Sequence, residues 1–276
     1  MKEMTIQEVH QVSLDVLQEF HDFCVNNNIH YSLSGGSLIG AIRHNGFIPW
    51  DDDIDVQMPR PDYEKFIHTY TSHSGFELCC RELPDYEKKM GYPYARLCDT
   101  KRTFVDMGTK PWIQKQLGIW IDILPCDGMP SDEKLAKKHL RINWLWEKQA
   151  FWSGTRYIPW SYIVKAKNLN EKAKFIVKKI LSMIIRVSSF EPIYRVKTRY
   201  DYNTSDYFFA IPHYGMREWQ PKKNMESFQL HKFEDREFMI MSGYDANLKS
   251  LFGDYMKLPP EDKRISHDFN KYYWKS

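Results

Sequence analysis

Val9, Val12, Val16, Leu17, Phe20 and Cys24 recur at helical spacing near the start of the chain, so their side chains line one face of a helix. Thr5-x-x-Glu8 is a capping-box signature that sets the start of this helix, and Asn26-Asn27-Asn28 ends it. Tyr31 to Leu33 then reads as a short strand running into Ser34-Gly35-Gly36-Ser37. Leu38 to Arg43 predicts a short helix closed by the Asn45-Gly46 turn, and Pro61-Asp62 opens another that runs through Tyr70. Phe76 to Leu83, Tyr92 to Leu97, Thr103 to Met107 and Ile119 to Leu124 carry strand pattern. Ser131 to Gln149 and residues 161–190 read as helical. The elements predict an α+β protein: a core with a mixed β-sheet and flanking helices, followed by a largely helical insertion or second subdomain.

One stretch breaks the ordinary alternation. Asp51-Asp52-Asp53-Ile54-Asp55 holds four carboxylates that repel one another. On a strand, Asp51, Asp53 and Asp55 share one face while Asp52 and Ile54 point the other way. Acids clustered on one face suit a hard cation such as Mg²⁺, which takes oxygen ligands and keeps substrate phosphates in its shell. The preceding glycines allow a backbone to approach phosphate, and the helix start behind them supplies free N–H donors.

Composition narrows the class. The chain has 276 residues, 15% of them aromatic, and a net charge of +3, which suits a packed enzyme and argues against a dedicated nucleic-acid binder. Cys24, Cys79, Cys80, Cys98 and Cys126 lack metal-site spacing and read as reduced core thiols of a cytoplasmic protein. The N-terminus shows no signal peptide, and Ile180–Ile185 is too short to span a bilayer. Charge is uneven: Ser161–Tyr200 carries ten Lys/Arg against two Glu, a balance of +8, leaving −5 (3 minus 8) elsewhere. Within it, Ile176, Ile180, Met183, Ile184 and Val187 form an apolar stripe among Lys172, Lys174, Lys178, Lys179 and Arg186. Such a helix either lies peripherally on an anionic membrane or packs on the core with its lysines in water.

Residues 31–66, YSLSGGSLIGAIRHNGFIPWDDDIDVQMPRPDYEKF, resemble the signature of the LicD family of bacterial phosphocholine transferases, which is similar to the fukutin-type ribitol-phosphate transferases. The resemblance extends to Ile119-Trp120-Ile121-Asp122-Ile123-Leu124-Pro125 and Asp127-Gly128. It returns in Tyr244, Phe252-Gly253-Asp254-Tyr255-Met256-Lys257-Leu258-Pro259-Pro260 and His267. It implies a nucleotidyltransferase-like catalytic core over 1–130, a mostly helical acceptor or membrane-proximal region over 131–240, and a segment over 241–276 that returns to the core. The resemblance places Gly35, Gly36 and Ser37 at the phosphate-binding helix start and Asp53 and Asp55 as the metal-binding pair. Asp122 would be the third acid.

The implied reaction is metal-dependent, with Mg²⁺ or alternatively Mn²⁺. A phospho-alcohol, phosphocholine first, would pass from a CDP-alcohol to a hydroxyl of a glycan, lipid-linked glycan, teichoic acid or lipopolysaccharide precursor, with release of CMP. Asp51 or Asp53 could accept the hydroxyl proton. Arg43, Asp254 and Lys257 are candidate substrate contacts. The alternatives are a CTP-dependent nucleotidyltransferase and a non-catalytic binding protein on the same fold.

Overall fold

A computed structural model describes residues 1–80, 82–83, 92–106, 117–154, 160–164, 168–184, 191–264 and 271–275. The chain opens with β1 (Lys2–Glu3), α1 (Ile6–Asn26), β2 (Ser32–Leu33), α2 (Gly35–His44), β3 (Asp55–Pro59) and α3 (Arg60–Thr69). Strands β4 (Glu77–Cys79), β5 (Ala95–Asp99), β6 (Thr103–Asp106) and β7 (Ile119–Met129) follow. Then come α4 (Glu133–Gly154), α5 (Trp160–Val164), α6 (Leu169–Ile184) and α7 (Glu191–Lys197). The last elements are β8 (Tyr207–Phe209), β9 (Gln220–Pro221), β10 (Phe228–Phe233), β11 (Arg236–Met241), α8 (Tyr244–Phe252) and β12 (Lys271–Trp274). The class is α+β, as the alternation of patterns predicts.

The main sheet runs in the order β2-β3-β7-β5-β4, with β3 and β7 parallel and the other neighbours antiparallel. β7 is buried along its whole length; β8 pairs with its last residues. Alternation divides the sheet into two faces. Ile54, Val56, Met58, Ile121, Ile123 and Leu97 pack with Val16, Leu17 and Phe20 of α1 and Tyr63 and Phe66 of α3 in one core. Trp120, Asp122, Arg96, Asp55 and Gln57 lie on the opposite face by the same alternation. β12 pairs with both β1 and β6, and the β10–β11 hairpin is tied to β2 by the Met241 N–H donating to Ser32 Oγ at 2.9 Å.

Local chemistry explains most element boundaries. The capping box is present: Glu8 N–H donates to Thr5 Oγ1 at 3.2 Å, and Thr5 N–H to Glu8 Oε2 at 2.8 Å. α2 begins at Gly35, earlier than the expected Leu38, because the glycines enter the first turn. β7 runs on past Leu124 to Met129, since β8 supplies a second partner for its far end. Only Glu77–Cys79 of the strand expected over 76–83 forms, and Arg81 lies outside the described residues. Met107, Arg186, Val187 and His267 also lie outside them. All five cysteines are buried. Among the described residues no helix is long and apolar enough to cross a membrane.

A buried ion network joins the core to the later helices. Arg60 donates from Nε and Nη2 to Asp127 at 2.6 and 2.9 Å, and from Nη1 to Glu64 and Glu82 at 3.2 and 3.3 Å. Lys197 of α7 stands 4.0 Å from Asp127 and 3.2 Å from Glu147 of α4. Burial pushes the neighbouring Glu218 carboxyl up to about 8, with the Glu147 charge adding to the effect. Arg60→Leu strands the Asp127 carboxylate, so urea denaturation should report a loss of about 3–5 kcal/mol. Glu218 has a folded-state pKa above its usual 4.5, so its stabilising contribution is full at low pH and is lost as pH rises through about 8. Denaturation midpoints between about pH 5 and 8 should therefore fall more steeply for the native chain than for Glu218→Gln.

Candidate functional site

The parallel register of β3 and β7 sets Asp55 beside Asp122, and the Asp122 N–H donates to the Ile54 carbonyl at 2.8 Å. Asp51 to Ile54 precede β3, yet their burial alternates as on a strand: Asp52 and Ile54 are buried, and Asp51, Asp53 and Asp55 are partly exposed. Carboxylate oxygens of Asp51, Asp52 and Asp53 lie within 4.8 Å of one another. Burial, followed by the charges of Asp55, Asp51, Asp122 and Asp52, pushes the Asp53 carboxyl well above the usual carboxylate range. Oxygen ligands alone, converging and in mutual repulsion, fit a hard divalent cation. The expected set of Asp53, Asp55 and Asp122 sits in this field, and Asp51 and Asp52 add the closest convergence.

The glycines fit against these acids. Gly35 has φ +52°, and a Cβ there would stand 3.2 Å from Asp55 Oδ2. At Gly36 a Cβ would collide with the Asp51 carboxylate. The start of α2 is thereby held against the acid cluster, with its first N–H groups free of intrahelical partners. Ser37 is the third residue of α2; its hydroxyl accepts the Asp55 N–H at 2.9 Å and retains its own hydrogen to donate. Ser34 occupies the N-cap position without a side-chain cap bond.

Arg43 is placed otherwise. Its Nη1 donates to the carbonyls of Tyr255 at 2.7 Å and Lys257 at 3.4 Å, fastening the Phe252–Pro260 block to the last turn of α2. Asp254 and Lys257 are exposed on that block, where the Lys257 N–H donates to the Asp254 carbonyl at 3.2 Å. Among the candidates, then, Gly35, Gly36, Ser37, Asp51, Asp53, Asp55 and Asp122 form one constellation, and Arg43 joins Asp254 and Lys257 in a neighbouring one.

Several partners escaped the sequence reading. Arg96 stands opposite Asp122 across β5 and β7 and holds its carboxylate from Nε at 2.6 Å and Nη2 at 3.3 Å. Its guanidinium lies 4.1 Å from the Tyr92 ring and 4.3 Å from the Trp120 ring. The Tyr272 hydroxyl donates to Asp52 Oδ2 at 2.6 Å, and His10 Nε2 lies 2.7 Å from the Asp51 carbonyl. The charge of Asp55 contributes to raising the pKa of both Tyr94 and Tyr214, after burial in each case. An arginine inside an otherwise apolar strand, Tyr94-Ala95-Arg96-Leu97, was the signal available for Arg96. Tyr272 and His10 carried none. A cavity of about 780 Å³ lined by Asp15, Glu19, Arg102 and Arg236 contains none of the candidate residues, so the acid cluster defines the site.

The chain is similar to a known protein along essentially its whole length. Residues 28–152 match the family model described as the LicD/FKTN/FKRP nucleotidyltransferase domain. The chain is 34% identical over 284 aligned positions to a lipopolysaccharide cholinephosphotransferase LicD of Haemophilus influenzae, covering 99% of each chain. Uncharacterised proteins of Rickettsia prowazekii and Rickettsia typhi are 31% and 38% identical, over 25% and 22% of this chain and 30% and 20% of their own.

Because Asp53 has its pKa raised in the folded state, its negative charge costs stability at pH values above that folded pKa. Asp53→Asn should raise the melting midpoint of cation-free protein at neutral pH, and the gain should shrink as pH falls through the raised pKa. Melting in a chelator across pH checks both trends. A lowered midpoint at neutral pH would contradict the repulsive cluster.

Proposed function

Since the chain belongs to the LicD/FKTN/FKRP nucleotidyltransferase family, we propose that it transfers phosphocholine from CDP-choline to a hydroxyl of a cell-surface glycan, releasing CMP. Lipopolysaccharide is the first acceptor to test, and a teichoic acid precursor the second. One observation carries the choline assignment: the likeness to a lipopolysaccharide cholinephosphotransferase runs along essentially the whole of both chains, at 34% identity.

The constellation supports the chemistry step by step. Phosphate oxygens of the donor would meet the free N–H groups at Gly35 and Gly36, where absent side chains permit close approach. Asp53, Asp55 and Asp122 would hold Mg²⁺ or Mn²⁺. When bound, that ion would neutralise charge on the diphosphate and on the leaving oxygen. Arg96 orients the Asp122 carboxylate, and Tyr272 does the same for Asp52. The acceptor oxygen attacks the phosphorus that bears choline. The bond from that phosphorus to the CMP oxygen breaks, and CMP departs with the electron pair. Asp51 would take the hydroxyl proton, since it lies beside the helix start and Asp53 is committed to the cation. The rings of Tyr214 and Phe252 meet edge to face at 5.6 Å. Their faces suit a quaternary ammonium.

A donor screen with Mg²⁺ tests the reading. CDP-choline, CDP-ribitol, CDP-glycerol and CTP are compared by CMP and pyrophosphate release, with a lipopolysaccharide acceptor. CMP should appear with CDP-choline, and Asp55→Asn should lower turnover on the order of a hundredfold or more. Pyrophosphate from CTP would replace the reading with nucleotidyl transfer. A turnover at native level in Asp55→Asn would remove Asp55 from the metal site.

A further inference from the structure

Helix α6 has its polarity reversed. At about 100° per residue, Met183, Ile176, Leu169, Ile180, Ala173, Val177 and Leu181 share an arc of roughly 160°, interrupted by Asn170 near one edge. Every one of these side chains is exposed; Leu169 is 82%, Val177 55%, Met183 52% and Ile180 50% accessible. The side turned toward the protein carries Glu171, Phe175, Lys179 and Ser182, and of these Lys179 and Ser182 are fully buried. A helix docked on a core does the opposite, with apolar residues inward and lysines in water. Trp160 and Val164 of the adjoining α5 are also exposed. Contiguous exposed apolar surface of this kind marks a place where another apolar phase is met.

The flanking charges identify that phase. Lys172 borders the apolar arc on one edge, and Lys174 and Lys178 border it on the other, a placement that lets ammonium groups reach a headgroup layer while the arc sinks below it. Residues 161–200 carry a local balance of +8, so a second copy of this chain would bring like charges face to face. At 16 residues α6 is roughly 24 Å long, too short to cross a bilayer core of about 30 Å but suited to lying in its surface. We propose that α6 is a membrane-surface anchor: its exposed apolar arc enters an anionic lipid leaflet, and Lys172, Lys174 and Lys178 pair with the headgroups. The proposal stands on this helix alone and is independent of the transferred group.

Sedimentation of the full chain with phosphatidylglycerol-rich and with phosphatidylcholine vesicles tests it. Binding should be confined largely to the anionic vesicles and should weaken as salt shortens the Debye length. Replacing Lys172, Lys174 and Lys178 with Gln should reduce partitioning roughly a hundredfold. Ile176→Glu/Ile180→Glu should abolish it while leaving the melting curve unchanged, because both side chains face solvent in the free protein. Failure of the native chain to bind anionic vesicles at low salt would overturn the proposal, as would native-level binding by the double glutamate variant. A dimer in lipid-free light scattering that this variant dissolves would assign the face to a second copy instead.

Discussion

Five carboxylates, those of Asp51, Asp52, Asp53, Asp55 and Asp122, repel one another, and the rest of the site is organised around keeping them together. Nothing in an unfolded chain would bring Asp122 to the other four. The parallel pairing of β3 with β7 does so through backbone hydrogen bonds and the apolar core beneath, whose burial offsets the electrostatic cost.

Three devices then fix the acids individually. Arg96 grips Asp122 with a planar fork, itself stacked between Tyr92 and Trp120. Tyr272 donates to Asp52, and Ser37 accepts the Asp55 N–H. Gly35 and Gly36 remove the side chains that would displace Asp55 and Asp51. The result is a cluster of acids beside a helix start that favours negative charge. In the proposed function a cation would lie between the acids and an incoming phosphate.

Much of this was legible in the sequence. Local signals were sufficient for α1, where the capping box and apolar spacing agree, and for the order of strands and helices through β7. The acids and the glycines were visible because runs of either are costly elsewhere. Arg96 was not singled out, since its partner is distant in sequence and only the sheet register makes them neighbours. Arg43 was read as a candidate phosphate contact because an arginine after a glycine-rich helix start has that chemistry; its Nη1 donates to the carbonyls of Tyr255 and Lys257, a partner set that only the fold reveals. For α6 the periodic pattern was legible and its sidedness was left open. Periodicity gives the angle between the apolar and polar faces, and only tertiary packing decides which face turns inward.

The contacts that complete the site connect distant positions: Tyr272 to Asp52 across 220 residues and Arg43 to Tyr255 across 212. Closing such loops costs chain entropy before any of those bonds is gained, so they form late on the folding path. A divalent ion held by the acids would recognise only the finished arrangement. Its binding energy would therefore leave the folding rate nearly unchanged and appear almost entirely as slower unfolding, making occupancy of the acid cluster a determinant of how long the native state persists.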